Sequence, residues 1–399
     1  MFKELDLSAM FNAKILKRSE DMKDMTTMDP YQLERFSKTK EEFDAFYDEQ
    51  LLEKVKALDK ERQKTMQLAK TSVIKIAIPA IIAIILYFFF SWMLATIPIF
   101  VYYGRVLFKD VKIKRRELEE RLKKEVVTDL VTFMNEHFTY KPNGFIPSRQ
   151  FVHANIFKDK PNRYKGDDLI SGYIGSDSDH AGAESPRTDV SFSEIKADKV
   201  TYYKDKDGKK SEQITTMFRG LFFKADFNKA FDGLTIVIPK EKKRSKGFAP
   251  YSKEEENQLE YVDLEDMEFM DTFDVKTSDQ VLARYILTPN FMNRLLEFSN
   301  RHSEEDLKQS IHQPTTIKEA IQAGFSEASN QYSAYTDTPY FSFRNGTMYF
   351  LLPTQRDHFD FNIMIPLNKR LIYSYFKDIN IALEMVDELN LNLRIWTKQ

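Results

Sequence analysis

The side chains able to do chemistry are few and scattered. Gly166-Asp167-Asp168 sets two carboxylates together just ahead of an apolar run. Paired carboxylates can ligate a divalent ion or share acid–base work, but no third carboxylate or base stands at a useful spacing. Asp167 and Asp168 therefore read first as a turn with a capping Asp. Asp177-Ser-Asp179-His-Ala-Gly182 begins like a calcium loop, yet Ala181 replaces the third oxygen ligand and Thr188 stands where a bidentate Glu is needed. The six histidines (His137, His153, His180, His302, His312, His358) show no i, i+4 pairing of the metal-binding kind. With no cysteine in the chain, thiolate nucleophiles, thiolate zinc sites and disulfides are excluded. Phosphate-binding glycine loops, the nucleophile elbow and the zincin helix motif are all missing. No catalytic, cofactor-binding or metal residue is assigned, and no cofactor is expected.

The composition describes what must position such residues. A chain of 399 residues has room for two or three domains, and 42% apolar with 30% charged residues suits a folded core. A net charge of −2 supplies no field for steering nucleic acid, and no nucleic-acid partner is expected.

The strongest signal is apolar. From Ile76 to Tyr103 there is no charged residue over 28 positions, beyond the ~18 that mark a spanning segment. One straight helix of that length would measure about 42 Å against a hydrocarbon core of about 30 Å. Basic residues flank both ends, which favours both ends on the cytoplasmic side. These facts predict a transmembrane hairpin within residues 73–108, with short arms Val73–Phe90 and Met93–Leu107, rather than one tilted span. Lys75, Arg105 and Lys109 would lie at the near interface and Trp92 at the far one.

Around the anchor the pattern is helical. Residues 31–72 carry Phe36, Phe43, Phe46, Leu51, Val55 and Leu58 as a stripe, and residues 109–140 carry Val111, Leu118, Leu122, Val126, Leu130 and Met134. Two stalk helices packed as an antiparallel pair are expected, with a coiled coil to another protein as the alternative. Residues 1–30 hold a short amphipathic segment, Phe2–Leu16, suited to docking on the folded domain or lying on the membrane.

Residues 141–399 read as a cytosolic α+β domain with a largely antiparallel sheet closed by a C-terminal helix. Asp207-Gly208 and Asn345-Gly346 are type I′ hairpin dipeptides. Strands are expected at Leu169–Ile174, Val190–Ile195, Leu234–Ile238, Phe273–Val275 and Phe361–Ile365. Helices are expected over Pro289–Phe298, capped by Thr288, and from Asn368 to Leu389. The arrangement resembles pleckstrin-like barrels at the level of architecture only. Residues 303–338 form a polar insertion. The basic segment with Lys242, Lys243, Arg244 and Lys246 suits a solvated loop, or contact with anionic lipid or a partner. Arg284, set among apolar neighbours, suggests an ion pair with Asp266 or Asp279, or a guanidinium ligand site.

Three stretches carry a family resemblance. They are Phe218-Arg-Gly-Leu-Phe-Phe-Lys-Ala-Asp-Phe-Asn228 leading into Leu234-Thr-Ile-Val-Ile-Pro239; Val262-Asp-Leu-Glu-Asp-Met-Glu-Phe269 through Ala283-Arg-Tyr-Ile-Leu-Thr-Pro289; and the ending Leu389-Asn-Leu-Asn-Leu-Arg-Ile-Trp396. Together they resemble a bacterial membrane-anchored family known as domain of unknown function 3137, over the anchor and most of residues 110–399. The resemblance implies two short membrane passes followed by a cytoplasmic α+β domain. It also implies a partner among small coiled-coil membrane proteins of the LemA type.

The functional expectation is a non-enzymatic scaffold or protein-interaction module in the cytoplasmic membrane. It would be multi-pass with both terminal parts in the cytoplasm, touching membrane lipids and a protein partner. The alternatives are a membrane-surface hydrolase or transferase using Asp167, Asp168 and Arg284, and a homo-oligomeric channel or membrane remodeller.

Overall fold

A computed structural model of the chain describes residues 37–87, 97–157, 159–174, 188–204, 210–226, 232–240, 259–310, 338–354, 358–359 and 361–396. The segment 1–30, Trp92, the calcium-like loop, the basic residues Lys242, Lys243, Arg244 and Lys246, and most of 303–338 lie outside them.

Two long helical runs open the described chain. The first is α1 (Lys40–Phe46), a π-helical turn (Tyr47–Leu51) and α2 (Leu52–Tyr87). Thr39 starts it with a capping box, accepting from the Glu42 N–H while the Glu42 carboxylate accepts from the Thr39 N–H. The second is α3 (Ile97–Leu122), a π-helical turn (Lys123–Val127) and α4 (Thr128–Met134). They run antiparallel. Lys54 is paired with Asp129, Arg121 Nη1 lies 2.6 Å from Glu61 Oε2, and a Cβ on Gly104 would meet Ile76 Cδ1 at 3.5 Å. Phe43, Phe46, Leu51, Val55 and Leu58 of the first run and Leu118, Leu122, Val126, Leu130 and Met134 of the second are buried in one core cluster.

Toward the 88–96 connection the surface changes character. Ile74, Ile78, Ile81, Ile82, Val101, Tyr102, Tyr103 and Val106 are all exposed. Among the described residues one helix, Lys40–Ala83, is long and apolar enough to cross a membrane. The second arm does not add another, because α3 passes from an apolar half into Lys109-Asp-Val-Lys-Ile-Lys-Arg-Arg116.

The rest is a nine-stranded antiparallel sheet, which makes the class mixed α+β. Its strands are β1 (Thr139–Lys141), β2 (Arg163–Ile174), β3 (Thr188–Lys204), β4 (Lys210–Asp226), β5 (Leu234–Pro239), β6 (Glu260–Tyr261), β7 (Phe273–Thr277), β8 (Tyr340–Arg344) and β9 (Thr347–Pro353). The order is β1-β2-β3-β4-β9-β8-β5-β7-β6, with β1 and β6 as edges, so the described sheet is open and differs from a closed pleckstrin-like barrel. The Asn345-Gly346 turn joins β8 to β9 with φ of 48° and 71°, both in the left-handed region a type I′ turn requires. Phe361–Ile365 is not a strand. The Asn362 side chain accepts from the Met364 N–H at 2.9 Å, an Asx turn that bends the backbone instead.

The helices connecting and covering the strands are α5 (Ser148–His153), α6 (Met267–Thr272), α7 (Gln280–Ile286), α8 (Pro289–Ser310) and α9 (Lys369–Trp396). Alternate strand residues feed two cores. Phe192, Leu221, Phe223, Phe341, Phe343 and Phe350 face the helical runs, α8 and α9; Phe218, Phe222, Tyr340, Tyr349 and Leu351 face the α5 side.

The helical pair is fastened to this body at its base. Asp59 Oδ1 accepts from Arg62 Nε at 2.6 Å and from the Leu367 N–H at 2.9 Å, while Arg62 Nη1 donates to the Ile363 carbonyl at 2.8 Å. Lys369 of α9 reaches Asp44 and Asp48 at 3.0 and 3.1 Å.

Candidate functional site

Polar side chains gather where the second helical run meets the sheet. Lys123 begins the π-helical turn and is buried despite its charge. A π turn takes in one residue more than the regular helix and is often found at functional positions. Opposite it, β2 carries a bulge between Asp167 and Ile170, where β3 has one residue fewer. Asp168 absorbs the extra residue at φ 54°, an uncommon conformation for a side chain other than Gly, Asn or Asp. The bulge turns its carboxylate inward, leaving the side chain 1% exposed. Lys123 Nζ lies 2.8 and 2.9 Å from its two oxygens, and the Tyr140 hydroxyl of β1 donates to Oδ1. Asp167 stays half-exposed, 3.9 Å from the same ammonium.

The charges follow from this burial. Desolvation pushes the Asp168 carboxyl up to about 6, against the opposing pull of Lys123 and Tyr140. Burial also works against the Lys123 ammonium, but Asp168 outweighs it and Lys123 titrates above its ordinary value. The Tyr140 phenol is pushed up by burial and by Asp168 beside it. At neutral pH the trio is a Lys⁺–carboxylate pair with a phenol donor. It offers no free base.

A second polar group adjoins it. Glu194 is the β3 residue opposite Asp167, and Tyr140 packs on Phe359 with ring centroids 6.4 Å apart. His358, next to Phe359, gives its backbone N–H to Glu194 Oε2 at 2.7 Å. Its Nε2 lies 2.8 Å from Thr354 Oγ1, and its Nδ1 lies 2.8 Å from Asp378 Oδ2 of α9, off the line of a good hydrogen bond. Hydroxyl, imidazole and carboxylate in that order have the connectivity of a nucleophile relay. Yet Thr354, His358, Asp378 and Glu194 are all buried, so a substrate has almost no surface to approach. As placed, the group ties β3, the segment after β9 and α9 together. Among the described residues no three His, Asp or Glu side chains are grouped to hold a metal.

The other residues singled out from sequence are dispersed. Lys75, Arg105 and Lys109 are exposed on α2 and α3. Asp266 caps α6 by accepting from the Phe269 N–H at 3.0 Å. Arg284 bonds within its own helix to Gln280 and reaches the Asp263 carbonyl at 3.5 Å. Asp266 and Arg284 are therefore not brought together. Sequence reading passed over Lys123, Tyr140, Glu194, Thr354 and Asp378. One signal was present: Lys123 follows Leu122 on the face of an otherwise apolar stripe.

Comparison with known proteins bears on the sheet. Residues 216–322 and 321–391 match the model of a family described as Protein of unknown function (DUF3137). The chain thus resembles that family from β4 into α9, a narrower span than the sequence motifs suggested, with the helical pair outside it. The two matched stretches meet inside the 303–338 segment. No curated protein and no solved structure matches the chain.

Proposed function

We propose that this protein is a membrane-anchored module whose helical pair enters the cytoplasmic membrane as a hairpin. Its sheet domain stands at the cytoplasmic face, available to a protein partner. One observation carries the reading: α2 and α3 run antiparallel, fastened to the body at their base and, among the described residues, exposing isoleucines, valines and tyrosines toward the 88–96 connection. Water offers such a surface nothing, whereas lipid accepts it. Lys75 and Arg105 would snorkel to the headgroups on the side where Lys109, Lys112 and Arg115 follow.

Enzyme chemistry at Asp167 and Asp168 is disfavoured on this reading. Both Asp168 oxygens are occupied by Lys123, and Tyr140 adds a third bond. The polar junction instead supports rigid transmission between anchor and sheet.

Topology is the deciding experiment. A cytoplasm-active reporter fused to the C-terminus is expected to be active and an export-active one silent. The opposite result would establish one span and an exported domain. Detergent pull-down of the full chain is expected to retain a stoichiometric partner, and a solitary monomer would remove the interaction role.

A further inference from the structure

The β3–β4 hairpin outruns its neighbours. On one side β2 pairing ends at Arg163 with Asp198, and Asn162 adds one clamp, bonding the Val200 N–H at 2.7 Å and its carbonyl at 2.8 Å. On the other side β9 covers only Gly220–Asp226 of β4. Thr201–Lys204 and Lys210–Gln213 thus pair with each other and with no further strand among the described residues. An isolated two-stranded ribbon is marginal in water. This one carries Tyr202 at 70% exposure, with Tyr203 also exposed, and the exposed Lys204 and Lys210 end its strands. Adjacent tyrosines on a strand point to opposite faces, so both faces are aromatic.

Its direction follows from contacts already described. Lys123 meets Asp168, and farther along the same run Asn135 Nδ2 lies 3.4 Å from the Tyr173 carbonyl while His137 stacks on the Tyr173 ring. The helical run leaving the apolar end therefore travels alongside ascending β2. β3 is antiparallel to β2, so ascending β3 returns toward the apolar end.

The reach agrees with that direction. From Glu194, level with Lys123, to Lys204 the strand covers about 33 Å at ~3.3 Å per residue. The same distance back along α3 is about 22 residues at ~1.5 Å each. That count ends near Val101, just inside the uncharged segment that closes at Tyr103.

We propose that the β3–β4 hairpin is a finger that touches anionic lipid headgroups, with Tyr202 and Tyr203 in the interfacial layer and Lys204 and Lys210 on the headgroup charge. Tyrosine favours that layer, and basic side chains near a cytoplasmic leaflet are attracted to anionic lipid. The inference rests on the anchor reading above and adds a second point of membrane contact.

The chain has no cysteine, so single cysteines can be placed at will. Full-length protein carrying Ser211→Cys, opposite Tyr203, is labelled with a fluorophore and reconstituted into phosphatidylcholine–phosphatidylglycerol vesicles containing headgroup-spin-labelled lipid. Arg105→Cys serves as the anchor reference and Thr139→Cys, on the edge strand β1, as the distant one. Quenching at position 211 is expected to match that at 105, with position 139 unquenched. Lys204→Glu with Lys210→Glu is expected to lower the quenching at 211 by about fivefold or more. Quenching at 105 without quenching at 211 overturns the finger and leaves the anchor standing. No quenching at 105 removes the anchor, and the finger with it. Disulfide formation between unlabelled Ser211→Cys copies under an added oxidant, with no quenching of the labelled protein, assigns the ribbon to a second copy of the chain and overturns lipid contact.

Discussion

Lys123 and Asp168 form a buried ion pair, Nζ lying 2.8 and 2.9 Å from the two carboxylate oxygens, between a helical π turn and a strand bulge. Each partner sits at a local irregularity of its own element, and each irregularity aims a charge at the other. A regular helix against a regular strand would present apolar residues there. The junction therefore depends on a matched pair of departures from regularity.

Removing one partner of such a pair strands the other. Lys123→Met is expected to cost about 3–5 kcal/mol at pH 7.5, read from chemical denaturation. The pH dependence has a definite sign. Asp168 titrates at about 6 in the folded protein, above its ordinary value, so the folded state holds an extra proton between roughly pH 4 and 6. Its contribution to stability declines as pH rises through that window. The Lys123→Met penalty should accordingly shrink at pH 5, where Asp168 is already neutral. An equal penalty at both pH values would place the carboxyl's titration elsewhere.

Asp59 titrates in the other direction. Burial pushes its carboxyl up, but the bonds from Arg62, Gln63 and the Leu367 N–H outweigh it and hold the value below the usual carboxylate range. Its stabilising contribution is present above about pH 4 and is lost as pH falls through the lowered value. Asp59→Asn should flatten that acid-side loss. Exchange of backbone hydrogens around Ile363 and Leu367 should quicken in the variant at neutral pH.

Gly220 tests the sheet. It sits in β4 opposite Pro353 at φ 148°, and a Cβ there would come within 2.1 Å of the Leu352 carbonyl oxygen. Gly220→Ala should cost several kcal/mol, combining about 1–3 kcal/mol of backbone strain with displacement of β9. A shift of less than a few degrees in melting temperature would contradict the close approach.

At His358 the expectation separates structure from chemistry. His358→Ala removes the imidazole between Thr354 and the buried Asp378, while Glu194 keeps the backbone N–H of residue 358, and should cost about 2–3 kcal/mol. Thr354→Val removes one hydroxyl and should cost about 1 kcal/mol. Comparable losses would give the hydroxyl a weight that the relay geometry alone does not explain.

The sequence showed the parts whose causes are local. The Asn345-Gly346 turn, the Thr288-Pro289 helix start and the apolar stripes of the helical runs depend on residues within one turn of each other. The same local logic failed at Phe361–Ile365, where one Asn side chain outbids a strand-like pattern. It ended one strand at Ile195, because Lys196-Ala-Asp-Lys199 breaks the apolar pattern, yet β3 runs unbroken to Lys204 with Ala197, Asp198 and Val200 buried. The junction was illegible for a different reason. Lys123 and Asp168 are 45 residues apart, and His358 and Glu194 are 164 apart. No spacing rule spans such distances. Arg284 shows the converse: its apolar neighbours suggested an ion pair with Asp266 or Asp279, while both carboxylates cap helices and Arg284 bonds within its own.

The π turn at Lys123–Val127 has a consequence for how this chain tolerates change in length. In an ordinary helix, deleting a residue turns everything beyond it by about 100°. Here the wide turn already holds one residue in excess, so a single deletion inside it would restore regular winding and leave the flanking helix facing nearly as before. The helical pair would keep its packing, but the turn that carries Lys123 toward Asp168 would be gone. The extra residue is slack in the helix, used to aim one charge.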